Sequence, residues 1–349
     1  MPQCIEARKV DETPSHRTPM DVSIIIVNWN SIDYVRGCIA SIYEHTRDVS
    51  FEIIVVDNAS PVGDAALLEH EFRDITLIKS SQNLGFAGAN NLGFRYSSGK
   101  YVLFLNPDTK LVSPAIQLMV QELQALSKGG ILGCKLLNED RSIQTSCIQT
   151  FPTILNQLLD SDWLRLRWPN SRLWGTGPLF SNSGKPAKVE VVSGACMLVR
   201  RDVFEQVDLF TEDYFMYAEY LDLCYKVERA GYSNCYMETA TVIHYGGKSS
   251  NPESATQMKW QSIVHFCEKH YGTLYALIFR IAMASAAVGR LGAIALMGLF
   301  GNTFGTPQSR RSASTKWRLV LRAVLTPSAK ACSFRGTGRT VPECRASQL

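Results

Sequence analysis

The sequence predicts an α/β protein built on a doubly wound, mostly parallel sheet flanked by helices. Three observations carry that expectation. Four short apolar runs, Val22–Val27, Phe51–Val56, Ile75–Ile78 and Tyr101–Leu105, alternate with segments of helical periodicity, and strand–helix alternation at such intervals builds a parallel sheet. The runs are nearly continuous in apolar residues rather than alternating, as strands covered on both faces are. Polar residues follow them directly: Asn28, Asp57 and Asn106-Pro107-Asp108. Open α/β sheets bind ligands outside the carboxyl ends of their strands.

Taken in order, ordered structure is expected from about Val22, after a segment 1–20 that is polar, contains Pro2, Pro14 and Pro19, and lacks the apolar stretch of a secretory signal. Asn28-Trp29-Asn30-Ser31 turns into a helix carrying Tyr34, Val35, Cys38, Ile39 and Ile42 at helical spacing. A helix near 64–72 separates the second and third strands, and Asn83–Asn91 opens another toward Tyr96. Beyond a helix over about 114–126 the pattern loosens. Strands are expected at 131–137, 189–192, 194–199 and 241–243, and helices at 201–207 and 217–230, the last closed by Gly231. Residues 140–187, with Trp163, Trp168 and Trp174 and no clear period, are read as an insertion with local helix.

A chain of 349 residues with 46% hydrophobic and 19% charged residues can bury a full globular core. Ten cysteines without a CxxC or metal-ligand spacing fit reduced thiols better than a disulfide framework. The net charge of +4 is uneven: Gly305–Leu349 holds nine Lys/Arg and one acid, Glu343. Before it, 274–300 is long enough to span a bilayer but is interrupted by Arg280 and Arg290. A central Arg costs roughly 2.5–3.5 kcal/mol on insertion scales. The two lie about 80° apart around a helix, so an interfacial amphipathic anchor on anionic lipid is the expectation.

The chemistry is expected in two clusters. Asp57 can accept from a nucleobase imide or a ribose hydroxyl, and Gly85-Phe86-Ala87-Gly88 with Asn90 or Asn91 can let backbone amides approach a diphosphate. Asp108 can hold Mg²⁺ or Mn²⁺ together with substrate phosphates, and His244 can complete that site through neutral imidazole. Glu219 and Asp222, at i, i+3 on one helix face, supply a candidate general base. An ordinary glutamate, with a pKa of about 4.3, is ionised at neutral pH.

Seven segments occur in order: VSIIIVNWN (22–30), VVDNAS (55–60), NLGFAGANNLG (83–93), LNPDT (105–109), SGACMLVR (193–200), FMYAEYLDLC (215–224) and HYGGKSS (244–250). Together, over about residues 21–270, they resemble a family 2 glycosyltransferase of the rhamnosyltransferase-like branch. The resemblance implies a GT-A fold, a nucleoside-diphosphate sugar donor, a divalent metal and inversion at the anomeric carbon. It places Val27, Asn28, Asp57, Gly85, Asn90, Asn106 and Asp108 at the nucleotide sugar, and Asp108 and His244 at the metal. Two departures stand out. Asn106 replaces an acid of the DxD-like motif, and Tyr220 stands where the family carries the Asp of a Glu-Asp pair, which leaves Glu219, favoured, or Asp222 as base.

The expected organisation is a disordered segment 1–20, a catalytic domain 21–272, membrane-associating helices 273–325 and a basic disordered tail 326–349. The expected activity is transfer of a sugar, L-rhamnose from dTDP-rhamnose being the leading donor, onto a lipid-linked or cell-surface polysaccharide, at the cytoplasmic face of the membrane and without nucleic acid. Two other readings compete: a GT-A-like scaffold that binds nucleotide or membrane without turnover, and a nucleotidyltransferase. The latter needs an early basic glycine-rich loop that Asn28–Ser31 lacks.

Overall fold

A computed structural model describes residues 6–7, 20–159, 184–246, 252–299 and 306–326, with positions 164, 167, 168, 171 and 173. The segments expected to be disordered, 1–20 and 326–349, lie almost wholly outside the described residues, as do 247–250 and most of the insertion after Leu159.

The four apolar runs form the parallel centre of the sheet. They are β2 (Val22–Asn28), β3 (Phe51–Asp57), β4 (Ile75–Lys79) and β5 (Tyr101–Leu105), and a short β1 (Glu6–Ala7) pairs antiparallel with β4. Helices α1 (Ile32–His45), α2 (Leu67–Glu71) and α3 (Gly85–Arg95) make the crossovers. Ile24, Ile25, Ile26, Ile53 and Ile54 are essentially solvent-free. Truncating one such side chain to Ala typically costs about 2–5 kcal/mol. The β2/β3 register sets Asn28 directly opposite Asp57, so the first two polar strand ends arrive side by side.

The second half of the sheet is mixed. Its strands are β6 (Thr109–Leu111), β7 (Gly129–Leu137), β11 (Cys196–Arg200) and β12 (Ser233–His244), with β9 (Ala187–Val189) on β12; β8 (Ile148–Gln149) pairs β10 (Val191–Val192) in a separate ribbon. The order is β1-β4-β3-β2-β5-β11-β7-β12-β6. β11 runs antiparallel to both β5 and β7. β12 is parallel to β7 and, beyond an irregularity between Met237 and Thr241, antiparallel to β6, where His244 faces Thr109. Helices α4 (Ala115–Ala125), α5 (Ile154–Leu159), α6 (Arg201–Gln206) and α7 (Glu219–Arg229) complete this half.

Three further helices, α8 (Pro252–Tyr271), α9 (Thr273–Leu299) and α10 (Pro307–Leu325), share a core of Trp260, Ile263, Phe279, Met283, Val320 and Val324. α9 is long and apolar enough to cross a membrane by length and composition. Its arginines serve the protein: Arg280 donates to the Val324 and Thr326 carbonyls at the end of α10, at 2.6 and 2.7 Å. Arg290 donates to the Leu158 carbonyl at 2.7 Å and stacks 4.1 Å over Trp317. The opposite stripe, Leu274, Leu277, Ile278, Ile281, Val288 and Leu296, is exposed. The sequence shows the arginines as interruptions of an apolar stretch, about 80° apart on an interfacial helix; they face the protein, where the ends of α10 and α5 offer carbonyls.

Candidate active site

The nucleotide-facing residues cluster where the parallel strands end. Asn28 Nδ2 donates to Asp57 Oδ1 at 2.8 Å, and the Asn28 carbonyl accepts from Asn58 N at 2.8 Å. Ser31 holds the Asn28 amide oxygen through its backbone N–H and hydroxyl at 3.2 and 3.0 Å. Asp57 is therefore a buried carboxylate fixed by one side-chain amide, and its remaining lone pairs can accept from a ligand. Val27 is half-buried on the same strand end.

Asn58 ties this edge to the glycine-rich segment. Its Nδ2 donates to Asn83 Oδ1 and to the Gly85 carbonyl, and its Oδ1 accepts from Leu84 N. Gly85 has φ +70°, and a Cβ there would sit 2.2 Å from the Phe215 carbonyl oxygen. Phe86 N donates to that carbonyl at 2.9 Å. The expected approach of this glycine to a diphosphate is thus a close approach to the 215 segment instead. Asn90 donates to the Phe86 carbonyl within α3, while Asn91 bonds Phe210 in both directions and Glu212. Both α3 amides hold protein.

Asp108 and His244, far apart in sequence, are brought together by the β6–β12 pairing. His244 Nε2 lies 3.4 Å from Asp108 Oδ1 and 3.4 Å from Asn106 Nδ2. Tyr245 N donates to the Asp108 carbonyl and Asn106 N to the Ala195 carbonyl, both at 2.9 Å. His244 Nδ1 is 2.7 Å from Gln144 Oε1, and Gln144 Nε2 is turned toward Asn138 Oδ1 and the His244 carbonyl. Gln144 Oε1 can accept from Nδ1–H, and in the neutral ring that leaves the Nε2 lone pair facing the carboxylate. Two electron-rich atoms aimed at one space fit a hard cation. Among the described residues no cluster of three or more His, Cys, Asp or Glu is built for a metal, so further ligands would come from donor phosphates, as Mg²⁺ and Mn²⁺ sites commonly arrange.

Glu219 opens α7 immediately after Tyr217 and Ala218, both left-handed at φ +67° and +63°. Such non-glycine conformations cost of order 1–3 kcal/mol each and cluster at functional turns. The turn is held by Ser262 Oγ donating to the Met216 carbonyl at 2.9 Å. Glu219 is 4% exposed and its Oε2 has no hydrogen-bond partner among the described residues. Burial, reinforced by Asp222, pushes its carboxyl up to about 8. That overturns the expectation of an ordinary, fully ionised glutamate.

Asp222 does not share this environment. Its oxygens accept from Thr211 Oγ1 at 2.6 Å, Tyr214 OH at 3.3 Å and Lys269 Nζ at 3.0 Å, and His270 Nε2 lies at 2.6 Å. Burial opposes its charge, but His270, Thr211 and Lys269 outweigh burial and hold the carboxyl well below its usual value. A fully engaged carboxylate of low basicity is a clamp between α7 and α8, which corrects its assignment as an alternative base. Tyr220 donates to Gln149 Oε1 at 3.2 Å, and its ring lies against Gly194, where a Cβ would meet it at 3.2 Å. Burial raises its phenol above 10, so it is no base either.

Sequence reasoning missed Gln144, Asn58 and the Tyr217–Ala218 strain. Asn58 adjoins Asp57 and was visible; Gln144 bears no local signal, since it meets His244 across 100 positions.

The overall chain path matches a solved structure, the mannosyltransferase PcManGT from Pyrobaculum calidifontis in complex with GDP-Man and Mn²⁺, with a TM-score of 0.57 at 17% identity, covering 90% of this chain and 89% of the other. The fold is GT-A, and the protein is a glycosyltransferase. Residues 23–208 match the model of glycosyl transferase family 2, and the chain belongs to that family. It is 29% identical over 250 residues to the low-salt glycan biosynthesis hexosyltransferase Agl10 of Haloferax volcanii, covering 70% of this chain and 73% of the relative. It is 27% identical over 251 residues to the N-acetylglucosaminyl-diphospho-decaprenol L-rhamnosyltransferase of Mycobacterium tuberculosis, covering 67% and 79%.

Proposed function

We propose that the protein is an inverting, metal-dependent glycosyltransferase that moves a sugar, with L-rhamnose from dTDP-rhamnose the leading donor, onto a lipid-linked or polysaccharide acceptor. The observation that carries this reading is the convergence of Asp108 and His244, with Nε2 and Oδ1 at 3.4 Å, on the same strand-end edge as the Asn28–Asp57 pair. Asp57 accepts from the nucleoside, Val27, Asn28, Asn106 and the Gly85 segment shape its pocket, and Asp108 and His244 hold Mg²⁺ or Mn²⁺. Bound there, the cation offsets the charge of the departing diphosphate. Glu219 takes the proton of the acceptor hydroxyl as that oxygen bonds to the anomeric carbon and the carbon–oxygen bond to the diphosphate breaks on the opposite face. The buried, partnerless Oε2 supports this role over a purely structural one. Wild-type protein with Mn²⁺ is expected to hydrolyse dTDP-rhamnose slowly without acceptor; binding without any turnover, on any nucleotide sugar screened, would favour the scaffold reading.

In this reading 21–272 is the catalytic unit and 273–325 docks it peripherally on the cytoplasmic face of an anionic membrane. The support is chemical. α9 carries an exposed apolar stripe and packs through its other face on α10, whose Arg311, Lys316, Arg318 and Arg322 are exposed, and no Asp or Glu occurs from Lys269 to Pro342. Basic side chains near an anionic surface contribute about 1 kcal/mol each at modest ionic strength. Full-length protein is expected to sediment with vesicles containing phosphatidylglycerol and to be partly released by salt. Sedimentation equal with neutral vesicles, or none at low salt, would contradict the docking.

A further inference from the structure

One strip of chain touches both ends of the candidate site. It runs from Gln144 through a 3₁₀ turn, Thr145–Cys147, into β8, which ends at Gln149. At its start Gln144 Oε1 lies 2.7 Å from His244 Nδ1. At its end Gln149 Oε1 accepts from Tyr220 OH at 3.2 Å, and Tyr220 directly follows Glu219 in the chain. Resting on the glycosyl-transfer reading above, we infer that Gln144 and Gln149 are positioning residues of that reaction: Gln144 aims the His244 ring at the cation, and Gln149, through the Tyr220 hydroxyl, holds the turn that presents Glu219.

The same device is built twice. A glutamine amide orients a neighbour only when its own oxygen cannot swing away, and the bonds of its nitrogen decide that. Gln144 Nε2 donates to Asn138 Oδ1 at 3.1 Å and to the His244 carbonyl at 3.4 Å. Gln149 Nε2 donates back to the Ser146 carbonyl at 3.1 Å. With both nitrogens engaged by the protein, both oxygens are left aimed at side chains of the site. Holding the strip itself does not require them, because its backbone already does so. Gln144 N donates to the Leu136 carbonyl, Cys147 N to the Gln144 carbonyl and Ser193 N to the Cys147 carbonyl, and β8 pairs with β10. Cys147 and Ile148 are buried between the two glutamines, so the strip is a fixed base from which both side chains reach out.

Each end answers a need of the site. A ligating imidazole works only when its ring is turned correctly, and a hydrogen bond to its other nitrogen is the usual way to fix that. At the far end, Tyr217 and Ala218 are both left-handed, and such backbone persists only where its surroundings over-determine it. Ser262 Oγ on the Met216 carbonyl fixes the entry to that turn. Tyr220 fixes its exit, with its ring against Gly194 and its hydroxyl on Gln149. The phenol thus contributes a tether rather than a base, which gives this departure from the family's Glu-Asp pair a physical role. Since the strip joins the two ends within six residues, the cation and the base are referenced to one rigid segment.

The test uses full-length protein and two readouts that need no turnover: calorimetric titration of dTDP with Mn²⁺, and hydrogen–deuterium exchange over residues 215–222. Gln144→Met and Gln149→Met keep the length of the side chain without its oxygen, and Gln144→Glu keeps the acceptor. Gln144→Met is expected to raise the Kd by about 10–100-fold, the usual effect of losing the group that orients a ligating histidine, and Gln144→Glu to restore it to within about threefold of wild type. Gln149→Met and Tyr220→Phe are expected to leave that Kd within about threefold and to speed exchange over 215–222 by about tenfold or more. A strip that merely supports the fold would move both readouts together in both Met variants, without rescue by Glu, and that result overturns the proposal. So does wild-type behaviour of either Met variant, or dTDP binding by wild type that ignores Mn²⁺. The expected split in a protein that hydrolyses no nucleotide sugar counts against the transfer reading alone, and turnover by wild type without the split against the positioning alone.

Discussion

Glu219→Gln is expected to lower kcat by 10²–10⁴-fold, the usual worth of a general base, with donor affinity nearly unchanged. The amide is isosteric and cannot take a proton. Its pH behaviour separates a base from a structural residue. With the carboxyl at about 8 in the folded protein, wild-type kcat/KM rises with pH toward a plateau above about 8, and the Gln variant lacks that rise. Stability moves the other way. Between the ordinary 4.5 and about 8 the folded state keeps a proton that the unfolded chain has lost, so stability falls as pH rises through that window. The Gln variant has no such loss and is expected to melt above wild type at pH 8.5. Normal turnover by Glu219→Gln removes the base from this turn.

Asp222→Ala is expected to cost about 3–5 kcal/mol of stability, the range for removing one partner of a buried charge pair, measured by denaturant unfolding. Asp222 is solvent-free and joins Thr211, Tyr214, Lys269 and His270, so its loss strands two α8 side chains and frees the first turn of α7. Because its folded carboxyl is held below the ordinary 3.8, its contribution is present above pH 3.8 and lost as acid protonates it. Asp222→Asn, which retains an acceptor for Thr211, is expected to fall between wild type and Ala. An Ala variant as stable as wild type would contradict the clamp.

The contrast between these two carboxylates marks how far the sequence could be read. Continuous apolar runs announced β2 to β5, and the polar residues after them announced Asn28, Asp57 and Asp108, because strand ends are local features. That His244 joins Asp108 could be suggested by ligand chemistry and by resemblance but not placed, since the meeting depends on β6, three residues long, and on a twelve-residue β12 of which only 241–243 looked like strand. The i, i+3 spacing rightly put Glu219 and Asp222 near one another, but their environments are set by residues elsewhere: no described residue bonds Glu219 Oε2, while α8 delivers Lys269 and His270 to Asp222. Gly85 was read toward a ligand because a glycine's need for space is visible in sequence and its neighbour, the Phe215 carbonyl, is not. Likewise Arg280 and Arg290 looked like interruptions until the ends of α10 and α5 supplied their acceptors.

The central claim is that Asp108 and His244 hold a cation through which the donor diphosphate is bound. Its most direct measurement is calorimetric titration of dTDP with and without Mn²⁺ into wild type and Asp108→Ala. Binding that depends on Mn²⁺ in wild type and disappears in Asp108→Ala, with the fold unchanged by circular dichroism, is the predicted result. Equal dTDP affinity without Mn²⁺, or Mn²⁺-dependent binding that survives in Asp108→Ala, would contradict it.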